Sequence, residues 1–390
     1  MRHSTYLEVC LGNIAHNVNN IRHLVGEAKL IPMVKGNAYG HGIERVSQFL
    51  HDVCGMNKLG VASLGEALAI RDKQPSIAKS TKSEIFVFSD TEILNEGFHH
   101  YYQASGQHGV RLTPILGTTT QLKKFCTSSA FKRSKLCLKV NTGMNRLGLK
   151  LDEIKNVIPL LKQRGGVDLL LQHFSVAVSL DRFNETIAHY DNFRKVKELL
   201  SDSGVEVRAT SVSNSGAIEQ QIGINEDYVR PGIMLYGPRS VRSKILWNGY
   251  PASYFYTKVL RHFPVRKGEG VGYDLFPARE DGVMVLLPIG YADGLLRSYQ
   301  GMPITVTPHD AQESITGILH GMVNMDMAAV MVYPKEVGKD MGEIMTAVKD
   351  ESRILVWGGD IGEKAIAVGS IPYQLMCGLS IRVPRVYRES

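Results

Sequence analysis

The sequence predicts an α/β chain: a (β/α)8 TIM-like barrel followed by a mainly β C-terminal domain. Three observations carry this. From residue 30 onward, short apolar runs alternate with amphipathic helical patterns, the signature of parallel βα units. Near residue 245 the texture changes to short β-prone segments separated by Gly, Pro and Asp. At 390 residues the chain is also too long for one ordinary core. A doubly wound sheet is the rival architecture for the first half.

The first run, Leu30, Ile31, Met33 and Val34, reads as a buried parallel strand that stops at Lys35 and a turn built from Gly36, Asn37, Gly40 and Gly42. Runs at 59–62, 85–88, 110–115, 136–140, 167–171, 207–212 and 233–236 bring the strands to eight. Helical periodicity lies between them, as in Ile43, Val46, Phe49, Leu50 and Val53 after the first strand and Ile154, Val157, Ile158 and Leu161 after the fifth. The barrel is thus expected over residues 11–245. Segments 254–260, 283–287, 304–307, 315–319 and 354–357 make the β domain, 246–390, in which only 339–348 looks helical. The N-terminal strand within residues 1–10 is expected to join that domain.

Composition narrows the classes of function. With 44% hydrophobic and 21% charged residues, the chain is an ordinary globular one. Its charge of +7 is spread without a basic run, which favours a small anionic ligand over nucleic acid. Five cysteines without CxxC spacing argue against a disulfide framework and a zinc site, so a reducing cytoplasm fits. The thirteen histidines show no HExxH-like spacing, and no metal is indicated. The N-terminus lacks an apolar core of signal-peptide length, and no stretch approaches the roughly 20 apolar residues of a membrane span. Cytoplasmic localisation and no membrane partner are expected.

A lysine at the carboxyl end of a core strand sits where α/β folds place chemistry, and a desolvated lysine there can form an imine with a carbonyl. Tyr39 and His41 share its Gly-rich turn, which suggests a ligand close to the main chain. The residues just past the other strands are Lys139 and Arg146, His173, Asn214 and Ser215, then Arg230, Pro231 and Gly232, a cationic and hydroxylic set. The hydroxyls of TSVSNSGA and the main-chain N–H groups of Gly232 and Ile233 suit a phosphate. A strand-end lysine with a phosphate cradle asks for a phosphorylated carbonyl compound, and pyridoxal 5'-phosphate is the common one.

The motifs VKGNAYGHG (34–42), KVNTGMNRLG (139–148), SNSGA (213–217), VRPGIMLYG (229–237), GVGYD (270–274), IGYADG (289–294), MVNMDM (322–327) and RVPRVY (382–387) run in order across nearly the whole chain. In these motifs the chain resembles the alanine racemase family, pyridoxal-phosphate enzymes with a (β/α)8 barrel followed by a β domain. The resemblance implies reversible interconversion of L- and D-alanine, supplying D-alanine for peptidoglycan in a bacterial source. It implies Lys35 and Tyr273 as the two catalytic bases, with His173 and Arg230 near the tyrosine and Arg230 facing the cofactor's ring nitrogen. It places Tyr39, Ser215, Gly232, Ile233 and Tyr373 at the phosphate, Arg146 and the main-chain N–H of Met325 on the substrate side, and Tyr291 at the entry corridor. Lys139 matches a lysine carbamylated in some members. The tyrosine base reaches the other subunit's cofactor in the family, which implies a homodimer with shared active sites.

Asn141, Gln172, the AVS after His173 and Met322 depart from the family's usual residues, which opens the substrate range. A racemase of serine or of broader specificity is one alternative, and a non-catalytic pyridoxal-phosphate-binding protein is another. A decarboxylase on a similar barrel is disfavoured by Arg230, because that group prefers an acidic partner for the ring nitrogen.

Overall fold

The computed structural model describes residues 4–103, 109–240, 247–307, 313–350 and 352–389. The chain divides into two compact units, Ile14–Gly249 and Met1–Asn13 with Tyr250–Ser390. The expected boundary between residues 245 and 246 lies outside the described residues.

In chain order the strands open with β1 (Tyr6–Cys10). The first-named unit then holds β2 (Lys29–Leu30), β3 (Lys58–Val61), β4 (Glu84–Val87), β5 (Arg111–Leu116), β6 (Cys137–Lys139), β7 (Leu169–Leu171), β8 (Thr210–Asn214) and β9 (Tyr228–Arg230). These eight pair in parallel, in the order β2-β9-β8-β7-β6-β5-β4-β3. The two ends meet where Met33 bridges Gly60, with Val34 N–H donating to Gly60 O at 2.8 Å and Gly60 N–H to Pro32 O at 2.9 Å. The sheet is therefore a barrel, and the doubly wound alternative falls.

The eighth strand is not the apolar run at 233–236. That run forms a buried 3-10 turn, Ile233–Tyr236, and the strand is Tyr228–Arg230 just before it. Its polar ends hid it from a search for apolar runs. Between strands, helix Ile43–Asp52 buries Val46, Phe49 and Leu50, while Val53, just past its end, is exposed.

The other unit is a nine-stranded sheet of β10 (Ser253–Lys258), β11 (Arg261–Val265), β14 (Gly282–Leu287), β15 (Pro303–Thr307), β16 (Ile315–His320), β17 (Ala328–Val332), β18 (Arg353–Trp357) and β19 (Arg385–Arg388), together with β1. The short hairpin of β12 (Gly270–Val271) and β13 (Phe276–Pro277) stands apart from it. Strand β1 lies antiparallel to β10 and parallel to β19. Strands β11, β12, β13, β17 and β19 lie outside the expected segments, as do helices Pro334–Val337, Ile361–Ala367 and Pro372–Cys377 beside the expected Met341–Ala347. Strand β11 is an edge strand and tolerates Pro264, which reads as a breaker in isolation. Among the described residues no helix is long and apolar enough to cross a membrane.

Candidate active site

Side chains alternate along a strand, so residues two apart point the same way. Ile31, Phe86, Ile115, Cys137, Leu169 and Leu171 form one apolar cluster in the barrel, with Ala209 and Tyr228 packed against it. Two residues further along the same strands stand Lys139 after Cys137, His173 after Leu171, Ser211 after Ala209 and Arg230 after Tyr228. Met33 follows Ile31 by the same step; the extended backbone ends at Val34, and Lys35 beyond it acts electrostatically on both Lys139 and His173. A cationic layer thus rests directly on the apolar one at the carboxyl ends of the strands, the mouth where barrels carry chemistry.

Lys35 opens a turn of unusual hand. Gly36, Asn37, Ala38 and Tyr39 have φ of 64, 55, 53 and 53°, and Gly40 follows at 85°. It is a left-handed helical turn closed by Gly40 N–H donating to Gly36 O at 2.9 Å. Each non-glycine residue in that conformation costs about 1–2 kcal/mol, so neighbours must hold it. Asn37 Oδ1 accepts from Ile43 N–H at 2.8 Å, and Tyr39 and His41 both stack on Tyr236, at 4.9 and 4.5 Å between centroids. Glu66 Oε1 accepts from Gly36 N–H at 2.7 Å.

The electrostatics of the layer are one-sided. Burial, then Arg230, Arg146 and Lys35, push the Lys139 ammonium down to about 8. Burial, then Arg230, Lys139, Arg146 and Lys35, hold His173 well below the usual imidazole range, hence neutral. Every charged group acting on these two is a cation. Burial pushes the Arg230 guanidinium down to about 10, so it stays charged at neutral pH. Its two terminal nitrogens donate to the carbonyls of Ser211 (2.8 Å), Val212 (3.2 Å) and Gln172 and to the Ser211 hydroxyl, which fixes the guanidinium plane. Such a cluster is costly by itself and suits an anionic guest.

The Ser215 and Gly232 turns, expected to suit a phosphate, adjoin it. Gly232 N–H donates to Ser215 Oγ at 2.9 Å, which leaves the Ser215 hydroxyl proton for an acceptor. A side chain on Gly232 would run into the Tyr39 hydroxyl, so only glycine lets Tyr39 close over this backbone. The 3-10 turn Ile233–Tyr236 begins here, and its first N–H groups need acceptors from outside the turn. Asn214 spends its side chain on structure, accepting from Ala217 N–H at 3.1 Å and donating to Phe174 O at 3.1 Å. The residues present therefore fit a phosphorylated aldehyde: an amine donor, hydroxyl and N–H donors for phosphate, and surplus positive charge. Among the described residues no cluster of His, Cys, Asp and Glu could hold a metal ion.

Arg146 is exposed on a loop that its neighbours fix closely. Asn141 Oδ1 accepts from Gly143 and Asn145 N–H, both at 3.1 Å, and Asn141 Nδ2 donates to Asn145 Oδ1 at 3.1 Å. Thr142 donates to Gln172 Oε1 at 2.8 Å, and Asn192 to Thr142 O at 3.1 Å. Asn141 and Gln172, two of the departures from the family pattern, are thus used to shape the Arg146 loop.

Tyr273, Tyr291, Met325 and Tyr373 belong to the other unit. Tyr273 is 69% exposed, in a turn with positive φ at Gly272, Asp274 and Leu275. Tyr291 N–H donates to Asn324 O at 2.9 Å and Ala292 N–H to Met325 O at 3.1 Å, so the two motif loops run side by side. Arg382, to which the sequence assigned no role, locks them. It grips Asp293 through Nε (2.6 Å) and Nη2 (2.9 Å) and reaches Asp326 at 2.7 Å. Tyr373 is half-buried in helix Pro372–Cys377.

Residues 9–240 match the family Alanine racemase, N-terminal domain, and residues 252–387 match Alanine racemase, C-terminal domain. The chain is 28% identical to alanine racemase 2 of Caldanaerobacter subterraneus subsp. tengcongensis, with 98% of this chain and 94% of that one covered. It is also 28% identical to the alanine racemase of Methanococcus maripaludis, with 99% of each covered. The solved alanine racemase of Acinetobacter baumannii superposes with a TM-score of 0.79 at 27% identity over 99% of both chains. That of Streptomyces coelicolor, at 22% identity and a TM-score of 0.83, supports the barrel-plus-β fold. With both domains matched in order across almost its whole length, the chain belongs to the alanine racemase family.

Proposed function

We propose that this protein interconverts L- and D-alanine with pyridoxal 5'-phosphate, using Lys35 and Tyr273 as bases on opposite faces of the substrate. The observation that carries the reading is the inward layer of Lys139, His173 and Arg230 beside Lys35, in which every charged neighbour of Lys139 is another cation. Pyridoxal phosphate, held at Lys35, supplies the electron sink that makes the Cα proton removable.

Racemisation needs a proton taken from one face of Cα and another delivered to the opposite face. Lys35 Nζ serves one face and the Tyr273 hydroxyl the other. A tyrosine of ordinary pKa near 10 is a poor base at neutral pH, so it needs help from hydrogen-bonding and cationic neighbours. His173, kept neutral by burial and by the cations around it, and charged Arg230 fill that role. Arg230 is also a donor that does not give up its proton, which limits electron withdrawal from whatever ring it faces and discourages side reactions.

Tyr39, Ser215, Gly232, Ile233 and Tyr373 hold the phosphate, with Asn214 shaping the Ser215 turn. Arg146 and the Met325 N–H orient the substrate carboxylate, and Tyr291 lines the approach. Lys139, with its lowered pKa, is suited to carbamylation, which would give Arg146 an anion in place of a cation. Tyr273, Met325 and Tyr291, exposed within their own unit, come from a second copy of the chain. The working enzyme is then a homodimer with shared active sites, located in the cytoplasm.

Purified protein with pyridoxal phosphate and a panel of single-enantiomer amino acids, analysed by chiral chromatography, tests the function. Equal approach to the racemate from either alanine enantiomer is the expected result. Conversion of serine or a larger amino acid without alanine would move the substrate and keep the mechanism. Bound cofactor without any conversion would overturn the enzyme reading.

A further inference from the structure

We propose that Glu66 is a positioning residue for Lys35, clamping the left-handed turn that presents the lysine amine; the inference rests on the cofactor reading of the same site. Glu66 is the third residue of helix Leu64–Lys73, whose cap, Ser63, accepts from Glu66 N–H at 3.3 Å. Ser-x-x-Glu is the signature of a capping box, in which the glutamate returns to the N–H of the cap residue. Here the carboxylate goes elsewhere. Oε2 accepts from Ala62 N–H at 2.8 Å, one residue before the cap, and Oε1 accepts from Gly36 N–H at 2.7 Å.

The carboxylate thereby ties the chain leaving β3 to the residue directly after Lys35. This happens beside the Met33 and Gly60 bridge that closes the barrel. Gly36 is the first left-handed residue of the turn and Tyr39 the last before Gly40. Fixing Gly36 from outside therefore sets both ends of one device, the amine of Lys35 and the hydroxyl of Tyr39 at Gly232. Charge-assisted bonds to main-chain N–H groups are among the stronger single contacts available for such a task. A glutamine at position 66 keeps one acceptor but turns an amide donor against the other N–H.

The test compares Glu66→Gln with Ser63→Ala, which weakens the helix cap and leaves the clamp in place. Two readouts are taken: the rate at which the visible absorbance band grows when cofactor-free protein meets pyridoxal 5'-phosphate, and amide hydrogen exchange of the 34–42 segment in cofactor-free protein. In Glu66→Gln the band should grow about tenfold more slowly and the segment should exchange about tenfold faster, with both near wild type in Ser63→Ala. A Glu66→Gln protein within twofold of wild type in both readouts overturns the proposal. So does a Ser63→Ala protein that reproduces the loss, since the effect would then belong to the helix. A wild-type protein that develops no band overturns the cofactor reading instead, and the exchange comparison still decides whether Glu66 holds the turn.

Discussion

Lys139 and Arg230 in the barrel are 6% and 3% exposed, pinned among backbone carbonyls and other cations, whereas Tyr273, Tyr291 and Met325 in the β unit stand 69%, 41% and 53% exposed. The contrast separates two ways of storing a site. The barrel holds charge that is costly until an anion arrives, so its half is shaped in advance by the layer beneath it. The β unit holds Tyr291 and Met325 on loops locked to one another by Arg382, Asp293 and Asp326, and Tyr273 on a separate exposed turn. Its residues cost little alone and, in the proposed dimer, would act only when another chain covers them. Changes in the β unit should therefore damage chemistry and spare stability, while changes in the barrel layer should move stability and its pH dependence.

The largest effect expected under this contrast is Tyr273→Phe. Removal of a base should cut turnover by about 10²–10⁴-fold. Because Tyr273 is exposed, unfolding free energy should stay within about 0.5 kcal/mol of wild type. Alanine enantiomers are equal in energy, so kcat/KM must fall alike in both directions, and asymmetry has to be sought elsewhere. In deuterated water the variant should still exchange the Cα proton of the enantiomer served by Lys35 and lose exchange with the other. Equal exchange with both enantiomers would remove Tyr273 from the chemistry.

What the sequence made legible follows the same divide. Lys35 and Ser215 could be found because each follows an apolar run at a Gly or Ser turn, whereas Arg230 stood out through the motif VRPGIMLYG. The eighth strand was misplaced because Tyr228 and Arg230 put polar groups at both of its ends, while the apolar residues after it pack as a 3-10 turn. Glu66 was hidden for a different reason. Its Ser-x-x-Glu pattern already has a sufficient local explanation, and only the fold brings the carboxylate to Gly36 N–H. Arg382 opens the motif RVPRVY, yet nothing in that motif reveals that its first arginine binds two aspartates 89 and 56 residues away.

A smaller effect is expected from Lys139→Met, and it sharpens the claim that the barrel layer is costly when empty. The folded pKa of Lys139, about 8, lies below its ordinary 10.5. Between those values the unfolded chain binds more protons, so wild-type stability should rise as pH rises through the window. Below it the penalty is full, and Lys139→Met should be the more stable protein by roughly 3 kcal/mol when cofactor-free, with the gap closing toward the top of the window. Chemical denaturation across that pH range, in carbonate-free buffer, measures it. Bicarbonate should stabilise the wild type and leave the variant unmoved if Lys139 becomes a carbamate. A pH-independent gap would mean that Lys139 is not a buried ammonium.

The smallest effect expected is Asn141→Asp, which restores the family's common residue in the loop that carries Arg146. A carboxylate keeps the acceptor bonds from Gly143 and Asn145 N–H. It cannot donate to Asn145 Oδ1 as the amide does at 3.1 Å, so Asn145 must turn its own amide around to avoid two facing acceptors. Asn145 already sits at φ of 54°, a left-handed position that asparagine tolerates better than most residues, and its side chain is free to rotate at the exposed surface. The net loss should be about 0.5–1.5 kcal/mol at most, one exchanged hydrogen bond. With Arg146 orienting the substrate carboxylate as proposed, the change should appear as a KM for alanine shifted by a few-fold while kcat holds. A fall in kcat with KM unchanged would place the loop in the chemistry itself, and would shift Arg146 from orienting the substrate to stabilising the reacting centre.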